Sequence, residues 1–558
     1  MFQDKQAKNH FYLLLALWFI VNFVQAIFTE INPDEAYYAL YGQHLAWGYF
    51  DHPPMVALIP FIGSMIFKGN LAVRFITVIL QIPTLIIIWK LLDVSSNASK
   101  KQVTTFFIVA ASMVMFTVYG FTTTPDVWLL FFTAAFLFVY KQFLRTSDWL
   151  QTILLAVTMA GLVYSKYQGV ILIGLVVLSN IKILTNGKFW IAAVIGIALC
   201  MPHFYWQYAN EFPSFTYHLV GRSKPFKWSY FFEYLPNQLV TFNPFTLGAV
   251  VYIFIKFRTK DLFEKALYHI IPGFILLFWI LTYKGHAEPQ WTVAASIPMM
   301  ILICNRASNI LALNRYIHKW IFGSIGLLII ARILLIAGLM PEKTQLAGKK
   351  KKFKAIETIA GNRPVIFTGS YQTPSLYSFF TGKPATVKSS LYSRSTQFDL
   401  WKFDEHWAGK PVYVSASMDS ISTKTDVNGI IVDGVHVSQY QYESAITFTF
   451  DSSITAAKNG TELELMTTII NTGNHPISLH DRQQPLSIVA IFLNKKDLYT
   501  IQADKNWEIN NFAANSQKIH LLRFKLKDIP PGDYRFALGF MTFAGPKPGS
   551  EFQPFTIQ

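Results

Sequence analysis

A chain of 558 residues, 52% of them hydrophobic and only 14% charged, is too apolar for a water-soluble domain, where about a quarter of residues carry charge. It is long enough for a membrane domain with one or two soluble units. In such a chain the formal net charge of +16 points to cytoplasmic loops and anionic lipid, ahead of nucleic acid.

The first apolar stretch, residues 11–28, follows Lys5 and Lys8, and Val24-Gln25-Ala26 weakly resembles a signal cleavage site. Many further spans follow, so it reads as an uncleaved signal anchor. A crossing helix needs about 20 mainly apolar residues. Segments near 11–29, 71–92, 103–119, 127–144, 150–165, 168–185, 189–205, 238–257, 268–284, 291–304 and 320–340 fit, about eleven in all. The apolar piece 53–67 is bracketed by Pro53-Pro54 and Lys68 and reads as an interfacial or re-entrant helix; if it crosses, every later orientation flips. Cys200 and Cys304 fall in spans near opposite faces, which makes them packing residues and not a disulfide.

With a cytoplasmic N-terminus, the basic residues of the short loops fall mostly on the inner side, as the positive-inside rule requires. Residues 32–54, Asp126 and residues 206–229 then share the outer face, and the C-terminal region is also outside. The run GKKKKFK (348–354) ordinarily prefers the cytoplasm, but long domains translocate largely regardless of charge. From 341 to 435 the pattern is strand, helix, turn and strand, a small α/β domain. From 436 to 558 alternating strands separated by turns such as NTGN and PPGDY predict a β-sandwich.

Chemistry concentrates where charge meets the apolar spans. Asn32-Pro33-Asp34-Glu35 has an N-cap, a proline at the first helical position and an acid placed for a capping box. Thr124-Pro125-Asp126 repeats the scheme. Two readings stand side by side: helix starts with a favoured acid, or carboxylates held for catalysis. Asp34, Tyr37, Tyr38, Tyr41 and Leu45 share one helical face. Such a face serves either an interfacial tyrosine belt or a sugar pocket. No Gly-rich nucleotide cradle is present.

DEAYY followed by LAWGYFDHPP, then a loop ending TPD before an apolar helix, resembles polytopic glycosyltransferases of the GT-C architecture. More narrowly it is similar to the bacterial branch of the protein mannosyltransferase and aminoarabinose transferase superfamily, glycosyltransferase family 39. LVYSKYQG (162–169), HFYWQYANEFPSFTYHLVGR (203–222) and KGHAEPQW (284–291) add to the likeness, which covers most of residues 1–340. It implies sugar transfer from a polyprenyl-phosphate donor to a lipid, glycan or protein hydroxyl at the outer face of a bacterial inner membrane, with inversion typical. Asp34 matches the general base and Asp126 the second acid. Glu35, Tyr38, Tyr41 and Glu288 fall among the expected substrate contacts. Asp51 and His52, both among the expected substrate contacts, stand where some relatives have Glu-Lys; this puts a lysine contact to phosphate in doubt there, while His52 can still donate if protonated or in a suitable tautomer. Lys166, Arg222 and Lys284 are placed either to hold the phosphate or to snorkel at the interface. A divalent metal ion is left open, with Asp51, His52 and His286 as candidate ligands.

Two other classes compete. A secondary transporter would carry ionisable residues near the midplane and repeated halves, whereas these acids sit at span ends and no repeat is visible. A membrane-anchored glycan-binding protein would keep its working part in the outer sandwich.

Overall fold

The computed structural model describes residues 2–223, 225–339, 348–418, 421–451, 454–494, 497–504 and 511–558. It divides into two compact units, Met1–Gly348 and Lys349–Gln558.

The first unit is a multi-pass membrane bundle of helices: α1 (Lys5–Phe28), α2 (Pro33–Gln43), α3 (Met55–Ser64), α4 (Asn70–Leu91), α5 (Lys100–Ser112), α6 (Val114–Val118), α7 (Pro125–Thr146), α8 (Trp149–Ser165), α9 (Gln168–Ser179), α10 (Gly187–Ala209), α11 (Pro213–Thr216), α12 (Trp228–Phe242), α13 (Pro244–Lys256), α14 (Leu262–Leu281), α15 (Ser296–Ala307), α16 (Leu311–Tyr316) and α17 (Phe322–Ile336). Six helical segments, Lys5–Phe28, Asn70–Leu91, Pro125–Thr146, Gly187–Ala209, Leu262–Lys284 and Leu311–Ile336, are long and apolar enough to cross a membrane. A seventh crossing forms if the pair α12 and α13, bent by 98°, counts as one. The expected eleven is therefore an approximate count. Several expected spans are shorter or broken helices: α5 stops at Met113 before α6, and α12 turns into α13 at Asn243, whose φ is 70°.

Contacts at both helix ends fix the direction of the first passes. Asn70 donates to the Ile27 and Thr29 carbonyls, while the Gln3 amide bonds the Ser96 carbonyl. Helices α1 and α4 are thus antiparallel, and residues 29–69 between them start and finish at the same end. The ten-residue α3, about 15 Å long at 1.5 Å per residue, packs against α2 and α4 without crossing. That agrees with the re-entrant or interfacial reading of 53–67. Cys200 and Cys304 are both buried and unbonded.

The second unit opens with a helix, Lys349–Ala360, in which Phe353 and Ile356 are buried while Lys350, Lys351, Lys352 and Lys354 are exposed. The lysine run is the solvated face of that helix. In the adjoining sheet Ala385–Lys388, Val365–Thr368 and Val412–Ser415 run parallel, and Ile430–Val437 and Thr423–Val427 continue it antiparallel. Among residues 446–557 a three-stranded sheet in the order Ser516–Lys525, Glu462–Asn471, Ile446–Phe450 packs on a six-stranded one, and Ile477–Ser478 pairs with Asn511–Phe512 in a small separate ladder. Glu462–Asn471 alternates exposed and buried side chains, and the buried set meets Phe492, Phe536 and Phe555 of the facing sheet. Period two with one dry face is what an antiparallel sandwich needs.

Candidate active site

Asp34 enters the site through local chemistry. Asn32 accepts from the Asp34 amide, Glu35 accepts from the Asn32 amide, and Pro33 begins α2. The full capping box orients the helix start and leaves the Asp34 side chain partly exposed. Asp126 has the same place on α7, one residue after Pro125, but it is buried.

Glu35 has a different position from the one its substrate-contact reading requires. It is completely buried. Arg74 forks onto both of its oxygens, and the Thr123 amide donates to Oε1 at 2.8 Å. Arg74 also donates to the Thr29 and Glu30 carbonyls. Glu35 therefore stands behind the site and ties the start of α2 to α4 and to the segment entering α7.

Tyr119, at the end of α6, lies within electrostatic reach of Asp126, Asp34 and Glu288. From the end of α8, Lys166 meets both oxygens of Asp126 at 2.7 and 2.8 Å, and both side chains are buried. Lys166 is thus an ion-pair partner of Asp126 and not a loose interfacial cation.

The tyrosine face of α2 points inward. Tyr37, Tyr38 and Tyr41 are buried, which excludes a lipid-facing belt. Tyr41 donates to Asp51 at 2.8 Å, and the Tyr38 hydroxyl meets His52 at 3.2 Å. Burial, reinforced by the Asp51 charge, holds the Tyr41 phenol well above its ordinary value, so it remains a donor. Leu45 is not on this face: α2 ends at Gln43, and Leu45 is exposed beyond it.

The loop carrying Asp51 is clamped by α10 and the residues after it. His203 bonds the Trp47 carbonyl at 2.7 Å, Ser214 donates to the Tyr49 carbonyl at 2.8 Å, and His218 meets the Asp51 carbonyl at 3.0 Å. Gly48 permits the approach, since a Cβ there would sit 2.4 Å from the Trp206 ring. Tyr41 and Tyr49 stack with centroids 3.8 Å apart.

Arg222, one turn past His218, lies over the Trp291 ring at 4.6 Å and makes a long 3.4 Å contact with Glu288. Lys284 is exposed at the end of α14. His286 faces Glu288 at 3.6 Å. Among the described residues no three His, Cys, Asp or Glu side chains are placed to hold a metal ion, and Asp51 and His52 bond tyrosines. Beside Tyr167 and His218 opens an apolar cavity of about 480 Å³ between α8, α9 and α10, lined by Met159, Val163, Ile197 and Phe204.

Sequence reasoning missed Arg74, Tyr119 and the clamp made by His203, Ser214 and His218. Arg74 carried a usable signal, a cation inside an apolar helix.

Residues 51–206 match the sequence model of the dolichyl-phosphate-mannose-protein mannosyltransferase family. No curated protein matches the chain by sequence. Among solved structures, ArnT from Cupriavidus metallidurans in the apo state superposes with a TM-score of 0.58 at 13% identity, covering 77% of this chain and 98% of that one. ArnT bound to undecaprenyl phosphate gives 0.56 at 14% identity, covering 76% and 97%. The chain has the fold of GT-C glycosyltransferases, as the motif likeness implied. The family match takes in Asp51, Asp126 and Lys166; Asp34 lies before it.

Proposed function

We propose that this chain is an integral-membrane glycosyltransferase that moves a sugar from a polyprenyl-phosphate donor to a hydroxyl of a lipid, glycan or protein. The work is assigned to the outer face of a bacterial inner membrane. One observation carries the reading: the helix starts that bear Asp34 and Asp126, far apart in the chain, are tied together by the Thr123 amide donating to Glu35, and Lys166, paired with Asp126, is followed by Tyr167, which lines an apolar cavity.

The parts match the chemistry. The prenyl chain lies in the cavity between α8, α9 and α10 and continues into the bilayer. Its phosphate rests near Arg222, three residues past Leu219 of the cavity wall; among the described residues the one ion pair of Arg222 is the long contact to Glu288. Burial pushes the His218 imidazole below its ordinary value, so His218 is neutral at neutral pH and the charge on the phosphate is met by Arg222. Asp34, partly exposed at a fixed helix start, accepts the proton of the incoming hydroxyl. The hydroxyl oxygen bonds the anomeric carbon as the bond to the phosphate oxygen breaks, and polyprenyl phosphate departs. Asp126, neutralised by Lys166, positions the ring.

Mass spectrometry of glycolipids and glycoproteins from cells with and without the gene tests this. A sugar-bearing product that disappears on deletion, with its polyprenyl-phosphate precursor accumulating, is expected. Identical profiles would contradict it.

A further inference from the structure

A second cavity lies on another side of the membrane bundle, between α1, α5 and α17, with a volume of about 340 Å³. Leu14, Leu17, Val21, Phe107, Phe322 and Ile329 line it. Leu17, Val21, Phe322 and Ile329 are exposed, and α17 buries none of its residues, so the groove opens outward. Its one charged lining residue is Arg332.

Arg332 sits in the last apolar helix, four residues before the helix ends at Ile336. At 1.5 Å per residue that is about 6 Å below the helix end. Its Nη2 donates to the Asn22 side chain at 2.6 Å and to the Thr117 carbonyl at 3.2 Å, and the guanidinium lies 4.9 Å from the Phe121 ring centroid. Every partner is neutral. Among the described residues Nε and Nη1 have no protein acceptor and no carboxylate pairs with the group. A cation at such depth ordinarily faces a counter-charge or marks a binding site, and a guanidinium presents five donors suited to phosphate.

We infer that this groove binds one anionic phospholipid, an acyl chain lying along α1, α5 and α17 and the phosphate seated on Arg332. The apolar walls accept the chain, and the uncompensated guanidinium selects the headgroup charge. The site is separate from the cavity between α8, α9 and α10, and it has a route to the aspartates. Arg332 holds Thr117 and Phe121, which flank Tyr119, a residue within electrostatic reach of Asp126 and Asp34. Asn22 packs so closely on the same segment that a Cβ on Gly120 would come within 2.9 Å of its Oδ1. Lipid occupancy thus bears on the rigidity of residues 117–123.

Native mass spectrometry of the full chain, released from nanodiscs of mixed phosphatidylglycerol and phosphatidylcholine, tests the inference without measuring transfer. The intact protein is expected to retain one phosphatidylglycerol preferentially. Arg332→Gln should reduce that retention about fivefold, the scale for one basic residue at a lipid phosphate. Val21→Trp, which fills the groove from an exposed position and leaves Arg332 intact, should do the same while melting like the parent. Unchanged retention in Val21→Trp, equal retention of phosphatidylcholine, or displacement of the phosphatidylglycerol by added polyprenyl phosphate would each overturn it.

Discussion

Lys166 Nζ lies 2.7 and 2.8 Å from the two carboxylate oxygens of Asp126, joining the end of α8 to the start of α7 inside the bundle. Removing one partner of a buried pair leaves the other as an uncompensated charge, at a cost of about 3–5 kcal/mol. Lys166→Met should therefore lower the melting temperature of the detergent-solubilised protein and abolish most transfer. Lys166→Met combined with Asp126→Asn should recover part of the stability but not the transfer. Recovery of both would show that the pair is only a strut.

Glu35 and Arg74 form a second buried lock, and it fixes geometry. The carboxylate that closes the capping box over Asp34 also holds the Thr123 amide, three residues before Asp126. Glu35→Ala or Arg74→Ala is expected to destabilise by about 3–5 kcal/mol. The double variant should cost clearly less than the sum, because the two losses are one interaction. Thermal unfolding of the three variants gives the coupling energy, and strict additivity would refute the lock.

His218 gives a pH signature. Burial lowers its proton affinity despite its hydrogen bond to the Asp51 carbonyl and the Asp51 charge. The unfolded chain takes up that proton near the ordinary value of 6.5, while the folded chain resists it. Stability from this group is thus present above pH 6.5 and is lost as pH falls below it. Melting curves between pH 8 and 5.5 should show a steeper acid loss for the parent than for His218→Gln. Parallel curves would contradict the assignment.

In the second unit, Lys388 is buried 2.8 Å from Glu443, 3.2 Å from Asp404 and 2.8 Å from the Tyr440 hydroxyl. It links the sheet of residues 365–437 to the sandwich that begins after Glu443. Burial, the largest single influence, raises the Asp404 value, but the Lys388 and Lys547 charges and the hydrogen bonds from Lys388 and Tyr440 together outweigh it and the net direction is down. Its contribution is therefore complete above the ordinary aspartate value of 3.8 and fades as pH falls through the lowered value. Lys388→Met in the full chain should make residues 349–558 cleavable by protease at lower urea, by about 3–5 kcal/mol. An unchanged urea midpoint would show that the node adds nothing.

The legible parts of this molecule are those decided by neighbours in sequence. The capping box at Asn32 and Glu35 and the proline start of α7 could be read because caps are local hydrogen-bond chemistry. The strand Glu462–Asn471 could be read because its period of two needs no partner to be seen. Helix lengths were less legible: α5 breaks at Met113 and α12 at Asn243, where hydropathy continues although the helix does not. The pairing of Lys166 with Asp126 and of Arg74 with Glu35 had no sequence signal beyond residue type, since each joins helices distant in the chain. Glu35 reads as a substrate contact beside the base Asp34 because adjacency hides direction; one helical step leaves Asp34 partly exposed and turns the Glu35 carboxylate into the core.

The central claim, that Asp34 removes the acceptor proton, is tested most directly by the single-turnover rate with purified polyprenyl-phosphate sugar in nanodiscs. Asp34→Ala and Asp34→Asn should each fall by about 10²–10⁴, the range for a lost general base, with donor binding and melting temperature retained. Turnover in either variant close to that of the parent would contradict the account.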